Sequence, residues 1–185
     1  MKVVAVLEEL ASPDTYAFHP ETPGAYAYLK HNIRGIYSMT EEQKELSGMI
    51  FNPRNPQLKA IKRIAHNLCV DYNKTYEDEV ETRSEILGKL LKEKGENVYF
   101  QGPIYFNYGT HTAIGDGFFG NYNICISDDA AVTIGAHVMF GPNCTLVTPE
   151  HPLMADERRY MKDDIGELFG PCYAKYGNSF MSKGG

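Results

Sequence analysis

The sequence predicts a mainly β fold with an N-terminal helical segment: a parallel β-helix preceded by a helical hairpin. Three observations carry that prediction. Ile134, Phe140 and Leu146 stand six apart, and Gly135 and Gly141 follow the first two. Helices repeat apolar residues every 3.6 positions and strands every 2, so neither produces this spacing. One turn and one short strand per repeat, stacked in parallel, does. Ile114, Gly120 and Ile126 keep the same spacing just upstream. Residues 40–95, by contrast, read as capped helices with apolar stripes at three-and-four spacing.

Taken in order, Met1 to Ser38 is an extension rich in Tyr and Pro that matches no pattern. Its apolar start, Met1 to Leu7, is cut short by Glu8 and Glu9; it suits a buried strand better than a secretory leader. Thr40 and Gln43 form a capping box opening a short helix that ends near Gly48. Asn55-Pro56 reads as an N-cap followed by proline in the first turn. Leu58, Ile61, Ile64, Ala65 and Leu68 make the apolar face of that second helix. Thr75 is the expected cap of a third, with Val80, Ile86, Leu87, Leu90 and Leu91 as its stripe and Gly95 as its stop. Such a hairpin needs an apolar surface to cover.

The third segment begins at Asn97. Val98-Tyr99-Phe100 and Ile104-Tyr105-Phe106 are β-prone runs around Gly102-Pro103. The six-residue spacing starts at Ile114, is shifted by two across Asp128 to Ala131, and resumes at Ile134. Two extra residues bulge outward from a coil, and here they bring Asp128 and Asp129. Residues 161–185 form a divergent tail, polar and glycine-rich from Lys162, with no six-residue spacing.

Composition excludes several functions. A net charge of −6 and the lack of Lys/Arg runs argue against a nucleic-acid surface. No apolar run is long enough to span a membrane. Four cysteines (Cys69, Cys125, Cys144, Cys172) without CxxC spacing fit a reduced, cytoplasmic protein. His111 and His137 lack companions at metal-ligand spacing and read as exposed strand histidines, so no metal is expected. Glu96 to Gly102 matches the E-x-x-Y-x-Q-G pattern of a viral protease site; Val98 and Phe100 fit a core strand, so the match reads as coincidence.

His151, in a loop just past the repeat, is the strongest chemical candidate. A hydroxyl is a poor nucleophile at neutral pH unless a base takes its proton as it attacks, and imidazole suits that task. Glu150, Glu157 and Glu167 are possible tautomer-fixing partners. Asn121 and Asn123 are amide donors that can serve an oxyanion; equally, they suit left-handed turn positions. Asp128 and Asp129 can accept from sugar hydroxyls, or simply form a solvated bulge.

Residues from Met39 to about Tyr160 resemble the maltose/galactoside O-acetyltransferases of the hexapeptide-repeat superfamily. The resemblance rests on Met39-Thr40-Glu41-Glu42-Gln43, Gly48 to Asn52, Tyr72-Asn73, Gly95 to Tyr99 and Tyr108-Gly109. Phe118 to Asn123, Asp128, Ile134-Gly135, Gly141-Pro142 and His151-Pro152-Leu153 complete it. It implies a left-handed parallel β-helix that assembles as a homotrimer with active sites between subunits, and acetyl transfer from acetyl-CoA to a sugar hydroxyl. His151 falls on the general base and Asn121 on the asparagine that stabilises the tetrahedral intermediate. Asn107 and Asp129 fall on acceptor-contacting positions. Pro53 stands where some members place an acceptor-binding aspartate, for which Asn52 can substitute. Departures from the pattern lie beyond His151: there is no tryptophan, and the further coils that hold coenzyme A are missing. Gly166 to Gly170 and Tyr176 to Met181 are only faint traces of the family's segments there. The resemblance therefore implies an acceptor half without most of a donor half. The alternative reading is a truncated, inactive relative serving as a binding or assembly module.

Overall fold

The computed structural model describes residues 39–159 and, further on, 161–162, 168–170, 172–174 and 178–180. The expected Met1 to Leu7 strand, the rest of the extension and Glu167 lie outside them.

Helix α1 (Glu41–Leu46) opens as its spacing predicts. The Thr40 hydroxyl accepts from the Gln43 amide at 3.2 Å, and the Gln43 side chain accepts from the Thr40 amide at 2.9 Å. A two-residue strand, β1 (Ile50–Phe51), follows. In α2 (Pro56–Asn73) the Asn55 side chain accepts from the Gln57 amide, and proline occupies the first turn. Helix α3 (Val80–Leu90) starts differently from the expectation: Glu79 stands at its cap with no side-chain hydrogen bond. Thr75 lies so close behind α2 that its hydroxyl donates to the Tyr72 carbonyl at 2.7 Å, closing one helix instead of opening the next. The buried stripe of α2 is Leu58, Ala65, Cys69 and Tyr72. Ile64, one position off it, is 61% exposed, and Val80 at the first turn of α3 is 56% exposed.

The rest is a three-faced parallel coil. The first face holds β2 (Glu93–Lys94), β5 (Thr112–Ile114), β8 (Val132–Ile134) and, from the tail, β15 (Asn178–Phe180). The second holds β3 (Tyr99–Phe100), β6 (Phe119–Gly120) and β9 (Met139–Phe140). The third holds β4 (Ile104–Phe106), β7 (Ile124–Ser127) and β10 (Thr145–Val147). Partners are twenty residues apart: Ile114 with Ile134, Phe100 with Gly120 with Phe140, Phe106 with Ile126 with Leu146. Three six-residue units account for eighteen, and the two extra residues fall at the corner between the third face and the first. That corner recurs in the preceding coil at 107–111. The coil begins earlier than the visible spacing, because Lys94 takes the position that Ile114 and Ile134 fill above it.

Left-handed residues stack along two edges. Asn97, Gly117 and His137 have φ of 54°, 65° and 57°, and Asn123 and Asn143 both have 59°. Each is where a face ends and the chain must reverse sharply, a conformation that Gly and Asn tolerate better than other residues. Gly120 is small for another reason: a Cβ there would run into the Phe100 ring.

Phe100, Ile104, Ile124 and Ile126 fill the coil and are fully buried. The helical hairpin covers the coil's first edge, where backbone groups would otherwise lack partners. Asn73 copies a strand there, donating to the Ile104 carbonyl at 2.9 Å and accepting from the Ile104 amide at 2.7 Å. Tyr72 and Arg83 donate to the Phe100 carbonyl at 2.6 and 2.8 Å. Glu96 to Gly102 is thus folded into the first coil, with Phe100 at its centre.

A third element joins hairpin and coil. Strand β14 (Cys172–Ala174) lies between β1 and β11 (Pro149–Glu150), antiparallel to both. Helix α4 (Ala155–Arg159) and the antiparallel pair β12 (Met161–Lys162) and β13 (Leu168–Phe169) complete the described elements.

Candidate functional site

The corner between the third face and the first concentrates the polar chemistry. Its two extra residues turn inward, not outward. Asp128 is fully buried. One carboxylate oxygen accepts from the Tyr108 amide and the other from the Thr112 hydroxyl, both at 2.8 Å. Its own carbonyl faces His111 Nδ1 at 2.8 Å. Burial pushes its carboxyl above the usual range, and the bonds from Tyr108 and Thr112 pull the other way. Asp128 is therefore not a solvated bulge. Both oxygens are committed to locking one coil to the next.

His111 corrects a second expectation. It is a buried corner residue, stacked on Tyr108 with ring centroids 4.3 Å apart, and its Nε2 lies 3.2 Å from the Glu42 carboxylate. His137, by contrast, is exposed, at a left-handed turn.

Asp129 faces the other side of the corner. Its Oδ2 accepts from the Asn107 amide at 2.8 Å and from the Ser127 hydroxyl at 3.3 Å, and its Oδ1 lies 3.5 Å from Lys62 Nζ. Asn107 also donates to Ser127 Oγ at 2.8 Å. The structure thus brings Asn107 and Asp129 into direct contact. Lys62, which sits 4.8 Å over the Tyr108 ring, joins this group and is passed over by the sequence motifs. A signal for it exists: Leu58, Lys62, Ala65, Cys69 and Tyr72 follow the spacing of one buried stripe, and a lysine in such a stripe asks for a buried anion.

Glu45 of α1 is also silent in the sequence, since a six-residue helix has too few turns to reveal a face. It is fully buried. Neither of its carboxylate oxygens, nor the Tyr108 hydroxyl beside it, has a hydrogen-bond partner among the described residues. Burial pushes its carboxyl up to about 9, with the negative charge of Asp129 adding to the rise and Lys62 opposing it.

His151 follows β11 on an exposed loop. The chain entering that loop is pinned to the corner by Thr148, whose hydroxyl accepts from the Ala130 amide at 2.7 Å and donates to the Ser127 carbonyl at 2.9 Å. The small sheet brings a second residue to the same end. β1 and β11 both oppose β14, so they run in one direction, and Ile50, Tyr173 and Glu150 share a row. Asn52 and His151 therefore leave this sheet on the same side, on strands roughly 10 Å apart at ~4.8 Å per strand. Asn52 is buried and its side-chain oxygen accepts from the Arg54 amide at 2.9 Å. Of the carboxylates proposed to orient His151, Glu150 is in β11; the side chain of Glu157 and all of Glu167 are outside the described residues.

Asn121 and Asn123 sit at a different corner, between the second face and the third. Asn123 is the left-handed turn residue and donates to Asn143 Oδ1 at 2.9 Å. Asn121 does not share that duty. Its Oδ1 accepts from the Tyr122 amide at 2.8 Å, which leaves the NH2 as its donating end. The whole third face separates it from the histidine corner, roughly 15–20 Å at ~3.3 Å per residue. One copy of the chain does not bring Asn121 to His151.

The four cysteines are free thiols. Among the described residues no helix is long and apolar enough to cross a membrane, and no group of His, Cys, Asp and Glu is placed to hold a metal ion.

Residues 44–95 match the maltose acetyltransferase hexapeptide capping motif. The chain is 33% identical over 121 residues to a galactoside O-acetyltransferase of Escherichia coli K12, covering 65% of this chain and 59% of that one. It spans just over half to three-fifths of the length of the curated galactoside O-acetyltransferases it matches. Among solved structures, a maltose O-acetyltransferase from Clostridium difficile 630 superposes with a TM-score of 0.63 at 32% identity, over 72% of this chain and 68% of that one. A galactoside acetyltransferase in complex with coenzyme A gives 0.62 at 30% identity, over 72% and 64%. The architecture they share with this chain is the left-handed β-helix. With the capping motif on its helices and the coil beneath them, the chain belongs to the hexapeptide-repeat acetyltransferase family.

Proposed function

We propose that this protein transfers the acetyl group of acetyl-CoA to a hydroxyl of a sugar, in a homotrimer whose sites form between neighbouring copies. The observation that carries the reading is the Thr148 clamp. It fixes the histidine loop to the same corner as the bonded Asn107–Asp129 pair. A base and a set of hydroxyl-binding groups on one rigid corner are what attack by a bound alcohol requires.

In this reading Asn107 and Asp129 hold the acceptor, with Asn52 at the same end of the small sheet. His151 takes the proton from the attacking hydroxyl. The new bond forms between that oxygen and the thioester carbonyl carbon. The Asn121 NH2 of a neighbouring copy donates to the oxyanion. Collapse breaks the C–S bond, and the imidazolium returns the proton to the leaving thiolate. The width of the third face supports the subunit seam, since Asn121 and His151 lie at its opposite ends. Coenzyme A in the relative's complex supports the donor. Free thiols at all four cysteines support a reducing compartment, the cytoplasm.

Acetyl-CoA turnover with maltose, glucose and galactosides tests the reading. His151→Ala is expected to lower kcat by about 10²–10⁴-fold, and Asn121→Ala by about 10²–10³-fold. Equal rates in wild type and His151→Ala remove the histidine from its role. A trimer that turns over no sugar removes the reaction.

A further inference from the structure

The acceptor corner buries three carboxyls, those of Asp128, Asp129 and Glu45, beside one ammonium, that of Lys62; Asp128 is taken up by Tyr108 and Thr112. Asp129 has three donors: the Asn107 amide, the Ser127 hydroxyl and Lys62. Glu45 has none among the described residues, although it is fully buried and faces Asp129, Lys62 and Tyr108. Two ionised carboxylates cannot share so dry a site with a single cation. The carboxyl without donors is the one that takes the proton. The other titratable groups nearby are Asp128, whose two oxygens accept from Tyr108 and Thr112, His111, paired with Glu42 of α1, and Cys172 of β14, which packs in the same cluster as Tyr108.

We propose that Glu45 is a positioning residue of the acceptor site: held as the neutral acid, it leaves Lys62 wholly to Asp129 and keeps Asp129 ionised to accept from a sugar hydroxyl. This rests on the acceptor role given to Asp129 above. The elevated titration of Glu45, at about 9, agrees with it. An ionised Glu45 would compete for Lys62 and repel Asp129. An apolar residue at 45 would remove the acid that faces Asp129 and Tyr108.

Difference infrared spectroscopy against Glu45→Gln reads the charge state without any turnover. A protonated carboxyl band at pH 7 is expected, absent from Glu45→Gln and titrating at lower pH in Asp129→Asn. Kinetics with maltose and a β-galactoside read the positioning. Glu45→Gln keeps a neutral polar group of the same size, so its acceptor KM stays within about twofold of wild type. Glu45→Leu replaces the acid that faces Asp129 and Tyr108 with an apolar side chain and raises acceptor KM by roughly five- to tenfold, the cost of a displaced acceptor-binding carboxylate. It leaves the KM for acetyl-CoA unchanged and does not lower the melting temperature, which separates positioning from folding. Wild-type acceptor KM should also rise above about pH 9, where Glu45 ionises, and this limb should vanish in Glu45→Gln. Normal turnover with an ionised Glu45 at pH 7, or an unchanged acceptor KM in Glu45→Leu, overturns this inference alone. Absence of turnover in wild type sinks the transferase reading and this role with it.

Discussion

The corner between the second face and the third and the corner between the third face and the first do opposite jobs in one coil. At the former, six-residue spacing is kept and the chain turns through a left-handed asparagine, with Asn123 bonded to Asn143 one coil above. Those groups are exposed, and each contributes only geometry. At the latter, two more residues per coil give the chain enough length to fold inward. It buries Asp128, Asp129, Tyr108 and His111 under two helices. Regular repeats build the prism; the place where the repeat breaks is where charge is buried and where hydroxyl chemistry can be organised.

The largest expected effect separates the two corners by stability. Asp128→Ala leaves the Tyr108 amide and the Thr112 hydroxyl as buried donors without acceptors. At about 1–3 kcal/mol for each orphaned group, a loss of roughly 3–5 kcal/mol is expected. Urea unfolding measures it. A protease of E-x-x-Y-x-Q-G specificity gives a second readout, because the Glu96 to Gly102 segment is cut only when the first coil opens. Cleavage after Gln101 should be negligible in wild type and should rise with the open population in Asp128→Ala. If Asp128→Ala costs less than about 1 kcal/mol, the inward-facing corner is not a lock.

An effect of intermediate size comes from pH. Folded Glu45 keeps its proton up to about 9, while the unfolded chain releases it near 4.5. Between those values the unfolded state binds fewer protons than the folded one, so stability falls as pH rises. The contribution is complete below about 4.5 and is lost by the time pH passes 9. Asp128, also raised by burial, acts in the same direction from the acid side. Melting temperatures of wild type should therefore decline from pH 5 to pH 9, and Glu45→Gln should flatten that decline. Parallel profiles for the two proteins would show that Glu45 does not titrate as its burial requires.

The two corners also differ in how far the sequence exposes them. Residues 114–146 announce the coil because aliphatic side chains keep a strict six-residue interval. The first coil is hidden, since Lys94 stands in the aliphatic column and the hairpin supplies its backbone partners through Asn73, Tyr72 and Arg83. Thr40 and Asn55 are legible as caps, because capping depends on neighbours in sequence. Thr75 misleads for the same reason: its hydroxyl has two helices within reach, and spacing alone does not choose. Asn107, Asp129 and His151 are found by resemblance; the Asn107–Asp129 bond, and the Thr148 clamp on the chain entering the histidine loop, become visible only in the structure. Glu45 and Lys62 stay hidden because their partner, Asp129, is more than sixty residues away. Asp128 and His111 mislead because a two-residue insertion does not reveal whether it bulges toward solvent or toward the core.

The smallest effect tests the regular corner. Asn123 holds φ at 59° and donates one exposed hydrogen bond to Asn143. Asn123→Ala forces a Cβ-bearing residue with no side-chain hydrogen bond into the left-handed region and should cost about 1–2 kcal/mol. Asn123→Gly keeps the backbone without strain and loses only the ladder bond, a few tenths to about 1 kcal/mol. The gap between these variants is the backbone term, and the remainder is the ladder. Acceptor KM should stay at its wild-type value in Asn123→Gly, since this residue shapes a turn and the donor role proposed above belongs to Asn121. A glycine variant with intact stability but a raised acceptor KM would place chemistry at the regular corner as well and erase the division of labour between the two.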